Sequence, residues 1–468
     1  MPEPDTSGRD AVPPEGMPER TALASGQRPG RLETLFYDAF YTLALGLGSP
    51  LFVYKIARGK YRQGWAHKLG FVPTRPAGDR IWLHAVSVGE AIAAGILAER
   101  LRREMPSLEL VASTTTPTGQ AVARRLFGEG NVFYFPLDFS GFAARALART
   151  APSLVVLVEL EIWPNLVAAA ARAGVPVVVV NGRLSERSFR GYSRIAPILG
   201  PTMRRIAAFG VQTEEYAERF RALGAPPGRV TVTGSLKYDG VKTEPDPAAA
   251  AWARAQLGLK GPERVLIGGS THRTEELALA RAWRELGERT AWRLVIAPRH
   301  PERVPEVEEE LAREGIRTVR RTALGHAGAG AENDKAVVIV DTVGELGRFY
   351  HAADLVFVGG SLIPHGGQNP IEPAGIGKAT IFGPHMFNFA ETVELLLAAR
   401  GARMVGSREE LARAVSELAS SEAERARLGD SAREAIRSKQ GAAEQSVRLI
   451  RNVLAERARR SQNPASPS

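Results

Sequence analysis

Alternation of short apolar runs with amphipathic stretches constrains this chain more than any other feature. Runs at Ile81–Leu83, Leu110–Ala112, Leu154–Val158, Val177–Val180, Ile206–Phe209 and Val230–Val232 read as buried strands, with helical patterns between them. Strands separated by helices imply a mostly parallel sheet covered on both faces. Residues 239–250, DGVKTEPDPAAA, carry two prolines and no periodicity, as a linker does. A second alternation then runs through Val265–Ile267, Leu294–Ala297, Ala336–Val340, Leu355–Val358 and Thr380–Phe382. The pattern predicts an α/β chain of two Rossmann-like halves facing each other across a cleft. A length of 468 residues also favours two cores over one.

The expected boundaries follow from composition. Residues 1–30 are rich in Pro, Gly and charge and read as a disordered tail. Residues 31–70 form a membrane-associating apolar and basic segment, 71–240 the first domain, 241–455 the second, and 456–468 a polar, disordered tail. Within the second of these segments, Ala39 to Tyr54 is free of charge but holds Gly46, Gly48 and Pro50. As one helix it would extend roughly 24 Å, short of the ~30 Å hydrocarbon core, so a helix or broken hairpin lying in one leaflet is expected. Between Asp38 and Asp79 there is no acid, while Lys55, Arg58, Lys60, Arg62, Lys68 and Arg75 fall in the gap. Basic residues beside an apolar segment suit anionic headgroups and mark the cytoplasmic side of a membrane. The formal net charge of +10 suggests an anionic partner, and most of the charge asymmetry of this region points to a membrane. Nucleic acid is disfavoured, because aromatic residues are only 7% and do not interleave the basic positions. The absence of cysteine excludes disulfides, thiolate metal sites and cysteine nucleophiles.

Polar residues gather where strands end. The first run leads through Ala85, Ser87 and Gly89 into a helix with apolar positions Ile92, Ile96, Leu97 and Leu101, and delivers Glu90 to the sheet edge beside His84 and Ser87. The run at Leu154–Val158 opens onto Glu159-Leu160-Glu161-Ile162-Trp163-Pro164-Asn165, where Asn165 also suits a helix cap. Arg187, Arg190 and Arg194 share a helical face and join Arg183, Arg204 and Arg205 in a basic surface suited to phosphate. Lys237 stands just before the linker. In the second half, Gly268 to His272 and Gly359 to Ser361 are expected to present backbone N–H groups to an anion. Pro298-Arg299-His300-Pro301, Asp341 to Leu346 (with Thr342 as a cap) and Gly366 to Pro373 complete the set. Together they describe a nucleotide pocket, with Arg299 for phosphate or base and Glu372 for ribose hydroxyls.

The motifs HAVSVGE, ELEIWPN, NGRLSERS, GSLKYD, APRHPER, DTVGELGRFYHAADLVFVGGSL, GGQNPIEPA and FGPHMFNF resemble, in order and spacing, those of the Kdo transferase family. The resemblance covers about residues 32–450 and implies the GT-B glycosyltransferase fold. It implies transfer of 3-deoxy-D-manno-octulosonic acid (Kdo) from CMP-Kdo to a phosphorylated, acylated lipid A precursor, in lipopolysaccharide synthesis at the cytoplasmic face of the inner membrane. By the same resemblance Glu90 is the general base. The donor-binding positions fall on Pro298, Arg299, Val343, Gly344, Glu345, Asn369, Pro370, Ile371 and Glu372. Ser87, Glu159, Arg183, Arg187 and Lys237 are candidates for acceptor binding or support. The family usually has His where Gln368 stands, so no role needing an imidazolium is available there.

A sugar hydroxyl becomes a nucleophile only as its proton is removed, which suits Glu90 and a single inverting displacement. CMP is a stable leaving group that needs charge stabilisation, from Arg299 and helix N-termini, more than protonation. No Asp-x-Asp motif is present, and neither metal nor cofactor is expected. The alternatives are another GT-B enzyme, an epimerase or a transferase with a different acceptor.

Overall fold

The computed structural model describes residues 30, 32–43, 63–160, 162–259, 261–287, 291–324 and 336–462. The chain divides into two units. Met1–Leu236 and Gly441–Ser468 make the first, and Lys237–Gln440 the second. The second domain expected at 241–455 therefore ends too late, because the chain returns to the first unit at Gly441. The helix Ala442–Gln462 also overruns the polar tail expected from residue 456.

In the first unit, strands β1 (Arg80–His84), β2 (Glu109–Thr114), β3 (Val132–Tyr134), β4 (Leu154–Val158), β5 (Val177–Gly182), β6 (Ala208–Val211) and β7 (Val230–Val232) form one sheet. Its order is β3-β2-β1-β4-β5-β6-β7 and every pairing is parallel. All five residues of β1 are buried, and they alternate between two cores. Trp82 enters the core holding Val155, Leu157 and Val179. Ile81 and Leu83 enter the other, with Val156 and Val178. That is why the sequence shows continuous apolar runs instead of alternation: both faces are covered. Truncating a residue such as Leu83 to Ala would cost about 2–5 kcal/mol.

Helix 442–462 completes the second of these cores, contributing Ala442, Ala443, Val447, Ile450 and Val453. It is fastened by an Arg451–Glu104 ion pair and by Arg457, which donates to the Ser153 carbonyl. A helix over residues 32–43 packs on the same unit in an inverted sense. Thr34 and Tyr37 are buried, while Leu32, Leu35, Phe36, Phe40 and Leu43 face outward. Its inner face is held by polar contacts. Tyr37 Oη donates to the Ile198 carbonyl (2.7 Å), Arg172 donates to Thr34 (2.9 Å), and Asp38 accepts from Ser140 N (2.9 Å) and Asn165 Nδ2 (3.0 Å). The rest of the Ala39–Tyr54 segment, with Lys55, Arg58, Lys60 and Arg62, lies outside the described residues. Among those described, no helix is long and apolar enough to cross a membrane.

In the second unit, β8 (Arg264–Thr271), β9 (Trp292–Pro298), β10 (Thr318–Arg320), β11 (Val337–Ile339), β12 (Leu355–Val358), β13 (Ala379–Phe382) and β14 (Ala402–Met404) form a sheet ordered β10-β11-β9-β8-β12-β13-β14. All its pairings are parallel too. Val265, Ile267, Val356 and Val358 line one core, and Leu266, Leu355 and Phe357 the other.

Candidate active site

Each sheet reverses its strand order once, and ligands of open α/β sheets bind beyond the carboxyl ends of strands at such a reversal. In the first unit the reversal lies between β1 and β4. Glu90 follows β1 and Glu159 follows β4, the two adjacent strands between which the order reverses. Glu90 sits in the first turn of the helix Val88–Glu104, whose N-cap is Ser87. Its Oε2 accepts from Val86 N (2.7 Å) and its Oε1 from Ser87 Oγ (2.7 Å), while Ser87 Oγ accepts from Glu90 N (3.3 Å). This reciprocal cap locks the carboxylate. Two carboxylate oxygens offer about four acceptor positions, so each retains one for a substrate proton.

Glu159 occupies the left-handed backbone region at φ 64°, and Asn181 at the end of β5 does so at φ 55°. A non-glycine residue held there costs on the order of 1–3 kcal/mol, and such residues cluster at functional sites. Asn181 Nδ2 reaches Glu159 Oε1 at 3.5 Å, and its Oδ1 accepts from Leu236 N at 3.0 Å. Glu161 lies outside the described residues.

Other expectations change. Ile92, expected in the core, is 50% exposed. His84 is fully buried, stacked on Phe135 at 3.8 Å and bonded through Nδ1 to Ser113 Oγ at 2.9 Å. Burial pushes its pKa down to about 3, so it stays neutral. Asn165 does not cap a helix. It lies inside the helix Pro164–Arg172, whose N-terminus is capped by Asp138: Asn165 N and Leu166 N donate to its two oxygens at 3.0 and 2.8 Å. Of the arginine surface, Arg190 pairs with Glu186 (2.9 Å) and Arg205 with Glu33. Arg183, Arg187 and Arg194 are exposed and without an ion-pair partner among the described residues. Lys237 belongs to the second unit, where it pairs with Glu391 at 2.9 Å.

The second sheet reverses between β8 and β12. Pro298 ends β9, and Arg299 beyond it is exposed. Val343 is 82% exposed, and Gly344 follows at φ 88°. Glu345 is paired with Arg321 at 2.8 Å and accepts from Thr342, so Thr342 does not cap the helix Leu346–Phe349. Asn369 is clamped at both ends: Nδ2 donates to Glu372 Oε1 (3.1 Å) and Oδ1 accepts from Ile371 N (3.0 Å). Pro370 and Ile371 are buried beneath it, and burial pushes the Glu372 carboxyl up. Gly347 approaches Glu372 so closely that a Cβ there would lie 3.1 Å from Oε2, which brings the loops at 343–347 and 369–372 together.

Gln368 Nε2 lies 3.2 Å from His272 Nε2, and the His272 ring is 4.1 Å from that of His365 and 6.1 Å from that of His300. Burial, then His365, His300, Arg303 and Arg299, push His272 down to about 4. His272 is thus neutral near pH 7, and Arg299 and Arg303 supply the positive charge here, Arg303 being paired with Glu276 and Glu306. The expected glycine-rich anion loops are not open, however. The N–H groups of His272, Gly360, Ser361 and Leu362 are all taken by Glu275, a residue that sequence reasoning missed. Glu276, beside it, is buried and pairs with Arg303 at 3.0 Å. Two acids in a first helical turn look like ordinary dipole compensation, so the only signal was their adjacency.

Comparison with known proteins places the chain in a family. Residues 63–240 match the family described as 3-deoxy-D-manno-octulosonic-acid transferase (kdotransferase). A 3-deoxy-D-manno-octulosonic acid transferase of Haemophilus influenzae is 33% identical over 425 residues, covering 89% of this chain and 98% of the relative. One from Bordetella pertussis is 35% identical, covering 77% and 86%. The crystal structure of UDP-GlcNAc 2-epimerase from Neisseria meningitidis bound to UDP-GlcNAc superposes with a TM-score of 0.53 at 12% identity, over 80% of this chain and 100% of that one. It shares the fold alone, and that fold is of the GT-B type.

Proposed function

This chain belongs to the Kdo transferase family and is a glycosyltransferase, and from that premise we propose that it moves Kdo from CMP-Kdo to a sugar hydroxyl of a phosphorylated, acylated lipid A precursor. The observation that carries the proposal is Glu90. It is a carboxylate at the reversal of a parallel sheet, aimed by Val86 N–H and Ser87 Oγ–H, with lone pairs to spare. The acceptor hydroxyl gives its proton to Glu90 as its oxygen bonds to the anomeric carbon of Kdo. The bond from that carbon to the phosphate oxygen breaks, CMP departs with the electron pair, and configuration inverts.

Arg299 offsets the charge on the departing phosphate, so the reading assigns no metal to the step. Pro298, Val343, Gly344, Asn369, Pro370, Ile371 and Glu372 shape the nucleotide site, with Glu345 held by Arg321. Arg183 and Arg187 meet the phosphates of the acceptor, as guanidinium groups do. Ser87 and Glu159 support the base. The outward apolar face of helix 32–43 supports docking at the inner membrane surface, because an exposed apolar stripe on a docked helix marks an interaction surface. An epimerase acting on a soluble donor has no use for such a face.

The test is incubation with CMP-Kdo and a tetraacylated lipid A precursor, following the lipid by mass spectrometry. A lipid heavier by one or more Kdo residues is expected. CMP binding with no lipid product would overturn the acceptor, and absence of CMP binding would overturn the donor.

A further inference from the structure

Three consecutive N–H groups pointing at one spot form an anion nest, which in many proteins holds a phosphate. Here the nest of Gly360, Ser361 and Leu362 is filled from within. Glu275 Oε2 accepts from Gly360 N (2.7 Å) and His272 N (2.9 Å), and Oε1 from Ser361 N (2.9 Å) and Leu362 N (3.0 Å). Glu275 is 1% exposed, and it begins the helix Glu275–Glu285. Its carboxylate therefore ties the turn after β8 to the turn after β12, the two strands between which the order reverses.

What hangs from this tie is the donor loop. The chain leaves β12, passes the nest and closes on itself through Gly367 N to the Gly360 carbonyl (2.8 Å) and Gln368 N to the Gly359 carbonyl (3.0 Å). That closure sets Gln368 against His272, and the next residue, Asn369, against Glu372. The two turns are in backbone contact as well. A Cβ at Gly359 would lie 2.4 Å from the Ser270 carbonyl oxygen and 2.5 Å from Thr271 Cα.

We propose that Glu275 is a positioning residue for the sugar-nucleotide donor, acting through the 359–369 loop and touching no substrate itself. The inference rests on the reading of this edge as the CMP-Kdo site. Glu275→Gln keeps the size but turns an NH2 toward amide N–H groups, so the loop loses half of its anchor.

The experiment is calorimetric titration of the full chain with CMP, with circular dichroism to establish folding and steady-state kinetics alongside. Glu275→Gln is expected to bind CMP about tenfold or more weakly and to raise the donor KM. The acceptor KM should stay unchanged, which a general loss of folded enzyme would not produce. CMP affinity equal to that of the unmodified chain would overturn the proposal. Should Glu275→Gln not fold, Glu275→Asp combined with Asn369→Ala decides. If Glu275 works through the loop, the double variant loses less than the product of the two single losses. Losses that simply multiply would refute it. Failure of the unmodified chain to bind CMP would instead strike at the family-based reading of the site.

Discussion

Replacing Glu90 tests the proposed chemistry most directly, and the geometry says which replacement to choose. Glu90→Ala removes the base but also strips the acceptor from Val86 N–H and the partner from Ser87 Oγ. Loss of such a cap costs about 0.5–2 kcal/mol of stability, so a lower activity would be ambiguous. Glu90→Gln is nearly isosteric. Its amide oxygen can still accept from Val86 N at the 2.7 Å position, and its NH2 can donate to Ser87 Oγ. The Ser87 hydroxyl hydrogen loses its acceptor but is half-exposed and can turn to water, so the expected stability change stays below ~0.5 kcal/mol. What Gln cannot do is take a proton. General-base catalysis supplies about 10²–10⁴-fold, or roughly 3–5 kcal/mol of barrier at ~1.4 kcal/mol per tenfold. Turnover of CMP-Kdo with the lipid acceptor should fall by that factor, while the melting temperature and CMP affinity stay close to those of the unmodified chain. A Glu90→Gln enzyme retaining more than about a tenth of the rate would refute the assignment and turn attention to Glu159, which follows the adjacent strand.

Two further outcomes follow from the helix at residues 32–43. Asp138 is fully buried at the start of helix 164–172, and burial pushes its pKa up to about 7 against the pull of Asn165 N, Leu166 N and the Tyr41 hydroxyl. A carboxyl whose folded pKa exceeds its unfolded value stabilises fully below about pH 4 and loses that contribution as pH rises to about 7, at up to ~1.4 kcal/mol per pH unit. Denaturant titrations should show this decline in the unmodified chain, whereas Asp138→Asn should be less stable at pH 4 and flatter across the window. A flat unmodified profile would refute it. Separately, Phe36→Ser with Phe40→Ser should leave the melting temperature within a few degrees, because both side chains face outward. Flotation with anionic vesicles should drop several-fold, and unchanged flotation would place the membrane contact elsewhere.

What the sequence made legible follows the physics of burial. Central strands such as β1, β4, β5, β8 and β12 are covered on both faces and print themselves as apolar runs. The strands it concealed, Val132–Tyr134, Thr318–Arg320 and Ala402–Met404, are three-residue strands at sheet edges, two of them carrying an arginine, although the equally short edge strand Val230–Val232 was read. Glu90 was visible because a small-residue turn links a strand to a helix around it. Ile92 misled because helical periodicity does not say which stripe faces inward. Gly359 and Gly360 correctly marked a tight turn, but the Gly360 N–H serves Glu275 and the Gly359 N–H the Gly269 carbonyl. Glycine spacing reports backbone geometry and says nothing of who occupies it. Asn165 misled for the converse reason: the cap comes from Asp138, in a different loop.

The return of the chain at Gly441 has a consequence in time. Helix 442–462 covers Ile81, Leu83, Val156 and Val178, all made early, yet the ribosome reaches that helix only after the whole of Lys237–Gln440. At about 5–20 residues per second, synthesis of that insert takes roughly 10–40 s. Throughout that interval the nascent first unit has all seven strands, but one of its two cores lacks Val447, Ile450 and Val453. The second unit is thus inserted into the first, and the earlier of the two is the last to be sealed.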